Sequence, residues 1–276
     1  MNDPAPTEAI LESTRDIDQR STTEVLRAIH EEDQRAHGAV SEVLEEIEQA
    51  VDVLSATLGG GGRWFNVGAG TSGRIGALDA AEIPPTFGLP PHRVQAVMAG
   101  GEKALARAVE GAEDHPERAA WELRERGLGP GDAIVAISAS GRTPFTLGSL
   151  EVAHEVDART IGITCNPGSP LAESVEIAIV PEVGPEVLAG STRMKGGLAQ
   201  KMVLHLLSTS VMIRLGHVSG NLMSSLVPSS SKLRDRAVRI LMSLGDLPRG
   251  DALALLDECD GDVAEASRRA KALRGR

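Results

Sequence analysis

The chain has 276 residues, of which 41% are hydrophobic and 24% charged, and its formal net charge is −11. A net charge this negative argues against nucleic acid or an anionic membrane as a general partner. Aromatic residues are scarce, with two Trp, three Phe and no Tyr, which also argues against a surface that stacks on nucleic-acid bases. An anionic ligand must therefore be held locally, by a few donors in a pocket.

Targeting and crosslinking signals are missing from the sequence pattern. The first residues, MNDPAPTEAILESTRD, are polar and acidic, and no apolar run approaches the length of a membrane span. Cys165 and Cys259 are far apart in sequence, which argues against a disulfide framework or a zinc site. These features predict a cytoplasmic protein with no metal site and no membrane partner.

The first predicted element is a helix over residues 21–58. Ser21 and Glu24 form a capping box at its start, and GGGG at 59–62 ends it. Apolar residues recur at helical spacing from Val40 to Leu54. They leave an outward acidic face that is either a solvated surface or a binding surface, formed by Glu42, Glu45, Glu46 and Glu48.

Strands and helices then alternate along the chain. We predict five strands, at residues 63–68, 92–100, 132–138, 160–166 and 176–183. Helices are predicted between and after them, at residues 74–82, 103–114, 144–157 and 191–216. Alternation at this spacing predicts an α/β fold, with a parallel sheet of about five strands flanked by helices. Ligands of such sheets bind at the carboxyl ends of the strands, where the strand order reverses.

The end of the chain differs from this pattern. Residues 217–231 read as an irregular linker, followed by amphipathic helices at 232–244 and 252–273. We therefore divide the chain into an N-terminal helical segment (1–53), a sheet domain (54–217), and a linker with a small C-terminal helical region (218–276).

One loop fits the dinucleotide pattern GxGxxG, through Gly68, Gly70 and Gly73. A dinucleotide site also needs an acidic residue at the end of the second strand, but that strand runs into MAGG. The sequence contains no GxxxxGK[ST] phosphate loop either. Both observations argue against a nucleotide cofactor.

The same loop carries TSGR at 71–74, and a similar string, ASGR, recurs at 139–142. Each string follows a predicted strand and opens a helix, where unpaired N–H groups and the helix dipole favour a phosphate. The repetition favours a phosphate pocket over simple helix caps, which the same residue types also form. The candidate ligands of this pocket are Thr71, Ser72, Ser138, Ser140, Gly141 and Thr143.

Charged residues at predicted helix ends are further candidates. Glu82 closes the helix before Pro84, where the negative dipole end disfavours ionisation, so it is either a general acid or an exposed charge. Glu110 and Glu113 would share one face of the next predicted helix. A carboxylate there is either a catalytic base or positioning group, or a solvated surface charge. Arg193 and Lys195 open the long helix, where they reach either an anionic ligand or solvent.

Several strings together resemble the N-acetylmuramic acid 6-phosphate etherases of the sugar isomerase (SIS) superfamily. The likeness runs in order from about Thr7 to residue 237, and it rests on GAGTSGRIGALDAAEIPPTFG, AVEGAED, SASGRTPF, TCNPGS, GPEVLAGSTRMK and GNLM.

This resemblance implies hydrolytic removal of D-lactate from the C3 ether of the phosphosugar, by elimination and then addition of water. The product is N-acetylglucosamine 6-phosphate, formed in cell-wall muropeptide recycling. It implies Glu82 as proton donor, Glu113 as a second active-site glutamate, phosphate binding at Ser138–Thr143, and no cofactor. It also implies a homodimer with sites near the interface.

The sequence departs from the family at a few positions. Ala81 and Ile83 stand where Ser and Cys are usual, Ser219 replaces an aromatic residue, and Ser225 and Ser230 replace Asp and Asn. These changes put in question whether 217–231 helps to recognise the lactyl group. Two alternatives share the fold: an aldose–ketose phosphosugar isomerase, and a non-catalytic phosphosugar sensor.

Overall fold

The sheet and its strand order create the edge at which a site can form. A computed structural model describes residues 5–274, so the first four and last two residues of the predicted terminal segments lie outside it. Five parallel strands pair in the order β2-β1-β3-β4-β5, which confirms the predicted fold. They are β1 Trp64–Gly68, β2 Val94–Met98, β3 Ala133–Ile137, β4 Arg159–Ile163 and β5 Ile177–Ile179.

The strand register aligns the carboxyl ends of the central strands. Gly68, the last residue of β1, pairs with Met98 of β2 and with Ile137 of β3. The strand order reverses between β1 and β3, because the chain adds β2 on one side of β1 and the later strands on the other. The loops after β1 and β3 therefore leave the sheet side by side, at the place where such folds bind ligands.

Helices cover both faces of the sheet. They are α1 Thr22–Ser41, α2 Leu44–Gly59, α3 Gly70–Phe87, α4 Lys103–Ala106, α5 Pro116–Glu125, α6 Pro144–Glu155, α7 Pro170–Glu173, α8 Lys195–Arg214, α9 Ser231–Gly245, α10 Arg249–Glu258 and α11 Val263–Arg274. One apolar core lies between the sheet and α1, α2, α3 and α8, and a second lies under α5 and α6. Helices α9–α11 bury a third core of their own.

The predicted N-terminal helix is divided into two. The capping box of Ser21 and Glu24 is present, but the helix breaks at Val43, whose φ is −117°. An unbroken helix over these residues would span about 57 Å, whereas α8 spans about 30 Å. The break lets both halves lie along α8, with Glu32 of α1 near its start and Asp52 of α2 near its end.

The prediction that Pro84 ends the third helix is wrong. Helix α3 continues through Pro84 and Pro85 to Phe87. Each proline removes one backbone donor, but both lie in the last turn, and Gly88 closes the helix with φ of 71° and a bond from its N–H to the carbonyl of Pro84. Glu82 is therefore inside the helix, and the expected effect of the helix end on its charge does not apply.

Two other predicted helices are also interrupted. Within 103–114, α4 ends at Ala106, and Gly111 has φ of 71°, so Glu110 and Glu113 do not share a helix face. Within 252–273, Asp260 and Gly261 both have positive φ, which separates α10 from α11. Helix α4 is ended by the extended backbone of Arg107 (φ −151°), whereas residues in the left-handed region follow the end of α10.

A buried ionic cluster fixes the start of α8. Lys195 is fully buried and pairs with the carboxylate of Glu32, so it contacts neither solvent nor the expected anionic ligand. The two carboxylate oxygens of Glu186 accept the N–H groups of Lys195 (3.1 Å) and Gly196 (2.9 Å). A carboxylate at a helix N-terminus is electrostatically favoured, so the cluster ties α1, the preceding loop and α8 together.

Within residues 5–274, no helix combines the length and the hydropathy that a membrane crossing needs.

We expect Lys195→Met to lower the free energy of unfolding by about 3 kcal/mol, because it removes the buried cation of Glu32 and leaves that carboxylate only the exposed Arg35, 3.2 Å away. Denaturant unfolding measures the effect, with Arg214→Met as the matched control. Arg214 pairs with Asp52 at side-chain exposures of 52% and 59%, so its loss should cost no more than about 1 kcal/mol. The double variant Glu32→Gln with Lys195→Met should regain stability over Lys195→Met alone. Equal losses of stability in Lys195→Met and Arg214→Met would contradict the assignment of a stabilising buried ion pair to Lys195 and Glu32.

Candidate functional site

The loop after β3, residues 138–143, gathers three hydroxyl groups at the start of α6. The Oγ of Ser138 lies 3.2 Å from the Oγ of Ser140 and 2.9 Å from the Oγ1 of Thr143. The N–H of Gly141 donates to Ser138 Oγ at 3.1 Å, and the N–H of Arg142 donates to Ser140 Oγ at 3.2 Å. Four predicted site residues thus lie together in this serine loop, where backbone donors and the helix dipole also suit an anion.

Gly141 is required by this loop for two physical reasons. Its φ is +66°, which favours glycine. A Cβ at this position would lie 2.2 Å from Ser169 Oγ and 2.7 Å from Thr164 Oγ1. The loop after β4 therefore packs directly behind the serine loop and fixes its shape.

The loop after β4 also contributes a residue that the sequence analysis did not place. The amide of Asn166 donates to the carbonyl of Ser140 at 3.2 Å and to the hydroxyl of Thr7 at 2.7 Å. Asn166 is buried, so it holds the N-terminal segment against the serine loop. Its string, TCNPGS, was visible in the sequence, but the partner is 159 residues away.

The glycines of the loop after β1 serve close packing between strand and helix. A Cβ on Gly73 would lie 2.6 Å from the carbonyl oxygen of Gly68, and Gly70 has φ of +53°. Thr71 lies against the start of α8, because its Cγ2 is 3.3 Å from the position of a Cβ on Gly197. Ser72 is buried and donates to Gln200 Oε1 at 3.0 Å, so its hydroxyl engages α8.

The start of α8 packs against the serine loop. A Cβ on Gly196 would lie 3.7 Å from the Cβ of Ala139 in the serine loop. Burial raises the pKa of the Glu186 carboxyl, while the bonds from Gly196 and Lys195 oppose that rise. Burial, followed by the charge of Glu186, raises the pKa of the neighbouring Cys165 thiol to about 12, so this thiol stays protonated.

Glu113 lies beside the loop after β1. It lines a cavity of about 150 Å³ together with Gly70, Arg74 and Glu110. The structure therefore brings one of the two predicted catalytic glutamates next to the glycine loop.

Glu82 lies elsewhere. It lines a cavity of about 350 Å³ between α3 and α8, together with Asp79, Lys201, His205 and Ser208. Twelve residues separate Glu82 from Gly70 along α3, which corresponds to about 18 Å of helix. Within one chain, the two glutamates thus occupy two different cavities.

Asp79 is the buried acid of this α3–α8 groove. It is 5% exposed, and its Oδ1 accepts the hydroxyl of Ser208 at 2.9 Å. Burial raises the pKa of its carboxyl to about 6, the charge of Glu82 adds to the rise, and Ser208 and Lys201 oppose it. Oδ2 has no hydrogen-bond partner among residues 5–274.

A further cavity of about 890 Å³ lies away from both glutamates. It separates the end of α3 from the C-terminal helices and is lined by residues such as Gly88, His217 and Ser225.

Ser219 and Ser230 are two further positions at which the sequence departs from the family pattern. Ser219 pairs with Leu222 in a bridge, and Ser230 caps α9 by accepting the N–H of Leu233 at 3.3 Å. These two serines have local structural roles.

Comparisons with known proteins first identify the class of protein to which the fold belongs. The profile of the SIS domain matches residues 119–210, and that of the glucokinase regulatory protein N-terminal SIS domain matches residues 38–154. A phosphoheptose isomerase from Francisella tularensis superposes with a TM-score of 0.57 at 18% identity, covering 70% of this chain and 100% of that chain. The phosphoheptose isomerase GmhA from Neisseria gonorrhoeae superposes with a TM-score of 0.53 at 20% identity, covering 69% of this chain and 99% of that chain. The fold is that of the SIS phosphosugar proteins.

Sequence relatives narrow the class to one family. The N-acetylmuramic acid 6-phosphate etherase of Symbiobacterium thermophilum is 50% identical, covering 94% of this chain and 86% of that protein. The etherase of Cronobacter sakazakii is 48% identical, covering 92% and 85%. The chain belongs to the N-acetylmuramic acid 6-phosphate etherase family.

We expect Gly141→Ala to lower the free energy of unfolding by about 1–3 kcal/mol more than a matched control, because Ser169 and Thr164 must move away from the new methyl group. The control is Gly127→Ala, whose φ is also +66° but whose Cβ would meet nothing within 4 Å. It should lose only the backbone cost, about 1–2 kcal/mol. Denaturant unfolding compares the two, and equal losses would show that the serine loop does not need close packing.

Proposed function

We propose that this protein cleaves the D-lactyl ether of N-acetylmuramic acid 6-phosphate and releases D-lactate and N-acetylglucosamine 6-phosphate. The observation that carries the proposal is the serine loop, where three hydroxyls and the amides at the start of α6 converge around Gly141. This loop suits one compact phosphate, and it belongs to a chain that is about half identical to named etherases.

The phosphate is held by hydroxyl and amide donors in this proposal. Ser138, Ser140, Gly141 and Thr143 contact it directly, and the helix dipole of α6 favours its charge. Thr71 lines the same pocket from the loop after β1, and Ser72 supports that loop through Gln200. Such a pocket needs neither a metal ion nor a nucleotide, and it suits a chain whose net charge is −11.

The chemistry is elimination followed by addition of water. In the open-chain sugar the C1 aldehyde acidifies the proton at C2, and we assign its removal to Glu113. The C3–O bond then breaks, its electron pair stays on the lactyl oxygen, and Glu82 protonates that oxygen. Water adds to C3 of the unsaturated aldehyde, and C2 recovers a proton from Glu113. A pair of carboxyl groups in opposite protonation states suits these steps.

A homodimer accounts for the separation of the two glutamates. Glu82 lies about 18 Å along α3 from the loop that accompanies Glu113, so we propose that each site takes Glu82 from the partner chain. The groove of Glu82 is flanked by Leu78 and Leu198, which are 49% and 39% exposed. Apolar side chains on such a face favour burial against a second copy.

The remaining features of the proposal concern context. We place the enzyme in the cytoplasm, in cell-wall muropeptide recycling, without nucleic acid or membrane as a partner. We retain the boundary at 217/218, because α9–α11 bury a separate core. The boundary at 53/54 falls inside α2, whose residues share a core with the sheet, so we place the N-terminal helices in the sheet domain.

The decisive test incubates purified protein with N-acetylmuramic acid 6-phosphate and measures D-lactate. Lactate should appear, and Glu82→Gln should lower kcat by about 10²–10⁴-fold with little change in KM, because an acid is lost but not a binding group. Glu48→Gln on α2, an exposed glutamate, is the matched control and should retain activity. An absence of lactate above the blank would reject the etherase assignment.

Sharing of the site between chains has its own test. We expect heterodimers of one Glu82→Gln chain and one Glu113→Gln chain, isolated with two affinity tags, to recover about half of the wild-type activity. One of their two sites then has both glutamates, and the other has neither. Each homodimeric variant alone should remain nearly inactive. If the heterodimer is as inactive as its parents, Glu82 and Glu113 act within one chain.

The lactate assay also separates the two alternatives. A phosphosugar isomerase would convert an aldose phosphate into a ketose phosphate without releasing lactate. A non-catalytic sensor, which the match to the glucokinase regulatory protein profile favours, would bind the phosphosugar without turnover.

A further inference from the structure

The α3–α8 groove contains a second acid beside Glu82. Asp79 and Glu82 are three residues apart on α3 and line the same cavity, and residues at this spacing lie about 5–6 Å apart at their Cβ atoms. Asp79 is the more deeply buried of the two, and its Oδ1 is fixed by the hydroxyl of Ser208. The pair is thus a fixed carboxyl beside an exposed one.

The other carboxylate oxygen of Asp79 lacks a donor. Its Oδ2 is buried and has no hydrogen-bond partner within residues 5–274, which is costly for an ionised group. The polar residues that line the same cavity as Asp79 are Glu82 and Thr86 on its own helix and Lys201, His205, Ser208 and Thr209 on α8. Of these, Ser208 already donates to Oδ1, and Glu82 can donate only when it is protonated.

We propose that Asp79 is a positioning residue that keeps the proton on Glu82, whose carboxylic acid donates a hydrogen bond to Oδ2 of Asp79 until the lactyl ether is cleaved. This inference rests on the proposed etherase function. It gives the buried oxygen its missing donor, and it gives the acid of the elimination step a defined orientation.

The pair also explains how the acid is restored. When the C3–O bond breaks, the proton of Glu82 moves to the lactyl oxygen and leaves two carboxylates side by side. Two adjacent like charges oppose each other, so Glu82 is driven to accept a proton from the water that adds to C3. The hydroxide part of that water bonds to C3, and the Asp79–Glu82 pair returns to its starting state.

The electrostatics of Asp79 agree with this geometry. Burial raises the pKa of its carboxyl from 3.8 to about 6, and the charge on Glu82 contributes to the rise, against the opposing effects of Ser208 and Lys201. Above about pH 6 Asp79 is therefore ionised, so that its Oδ2 can accept a hydrogen bond.

The first test is Asp79→Asn, which keeps an oxygen for Ser208 and removes the charge. We expect kcat to fall about tenfold with KM unchanged, and the high-pH limb of kcat to move to lower pH. Asp132→Asn is the matched control, since Asp132 is also 5% exposed but is bound to Arg63 at the start of β3. It should lower stability without moving the pH profile. An unmoved profile in Asp79→Asn would overturn the proposal.

A double variant separates positioning from a general structural effect. If Asp79 acts through Glu82, adding Asp79→Asn to Glu82→Gln should leave the residual rate unchanged, because the two effects are not independent. A further tenfold loss in the Glu82→Gln background would mean that Asp79 acts through another group, such as Lys201, and would overturn the proposal.

A third readout does not depend on activity. The folded-state pKa of Asp79 lies above its unfolded value of 3.8, so the wild type loses stability as pH rises from about 4 to about 6. Asp79→Asn should lack this loss, so its stability relative to wild type should rise over that interval and then level off. A constant difference would overturn the assigned ionisation of Asp79. Wild-type protein that releases no lactate would instead reject the etherase function itself.

Discussion

The start of α8 is the constraint on which the site depends. Glu186 holds the first two N–H groups of this helix, and the buried Lys195–Glu32 pair binds it to α1. The same residues bring Gly196 and Gly197 against the serine loop and Thr71. Without this buried cluster, the loops after β1 and β3 would lack the wall that fixes their separation.

The charge of the protein explains why the proposed phosphate pocket is built from neutral donors. With a net charge of −11, a large basic surface would be needed to attract polyanions. A single phosphate needs only short-range donors, and backbone amides and hydroxyls supply them without long, flexible side chains. The close packing of Gly141 against Ser169 and Thr164 fixes those donors in place, so less conformational entropy is lost when the phosphate binds.

The sequence predicted the sheet and the serine loop because both depend on local patterns. Strands buried on two faces are continuous apolar runs, and the loop repeats one short string. The positions of Lys195 and Asn166 could not be predicted, because their partners Glu32 and Thr7 are more than 150 residues away in the chain. The end of α3 was misjudged because Gly88 provides a C-cap that outweighs the effect of two prolines in the last turn.

Helix α3 connects these features. Near its start, Gly73 packs against the end of β1 at a distance that only glycine allows, and it shapes the loop beside the proposed phosphate pocket. About two to three turns later the same helix carries Asp79 and Glu82 into a groove with α8. A rigid helix cannot bend its far end back to its own start, so in the proposed homodimer each α3 would serve two different sites. Continuation of α3 through Pro84 and Pro85 keeps Glu82 on regular helix, one turn beyond the buried Asp79 that holds it.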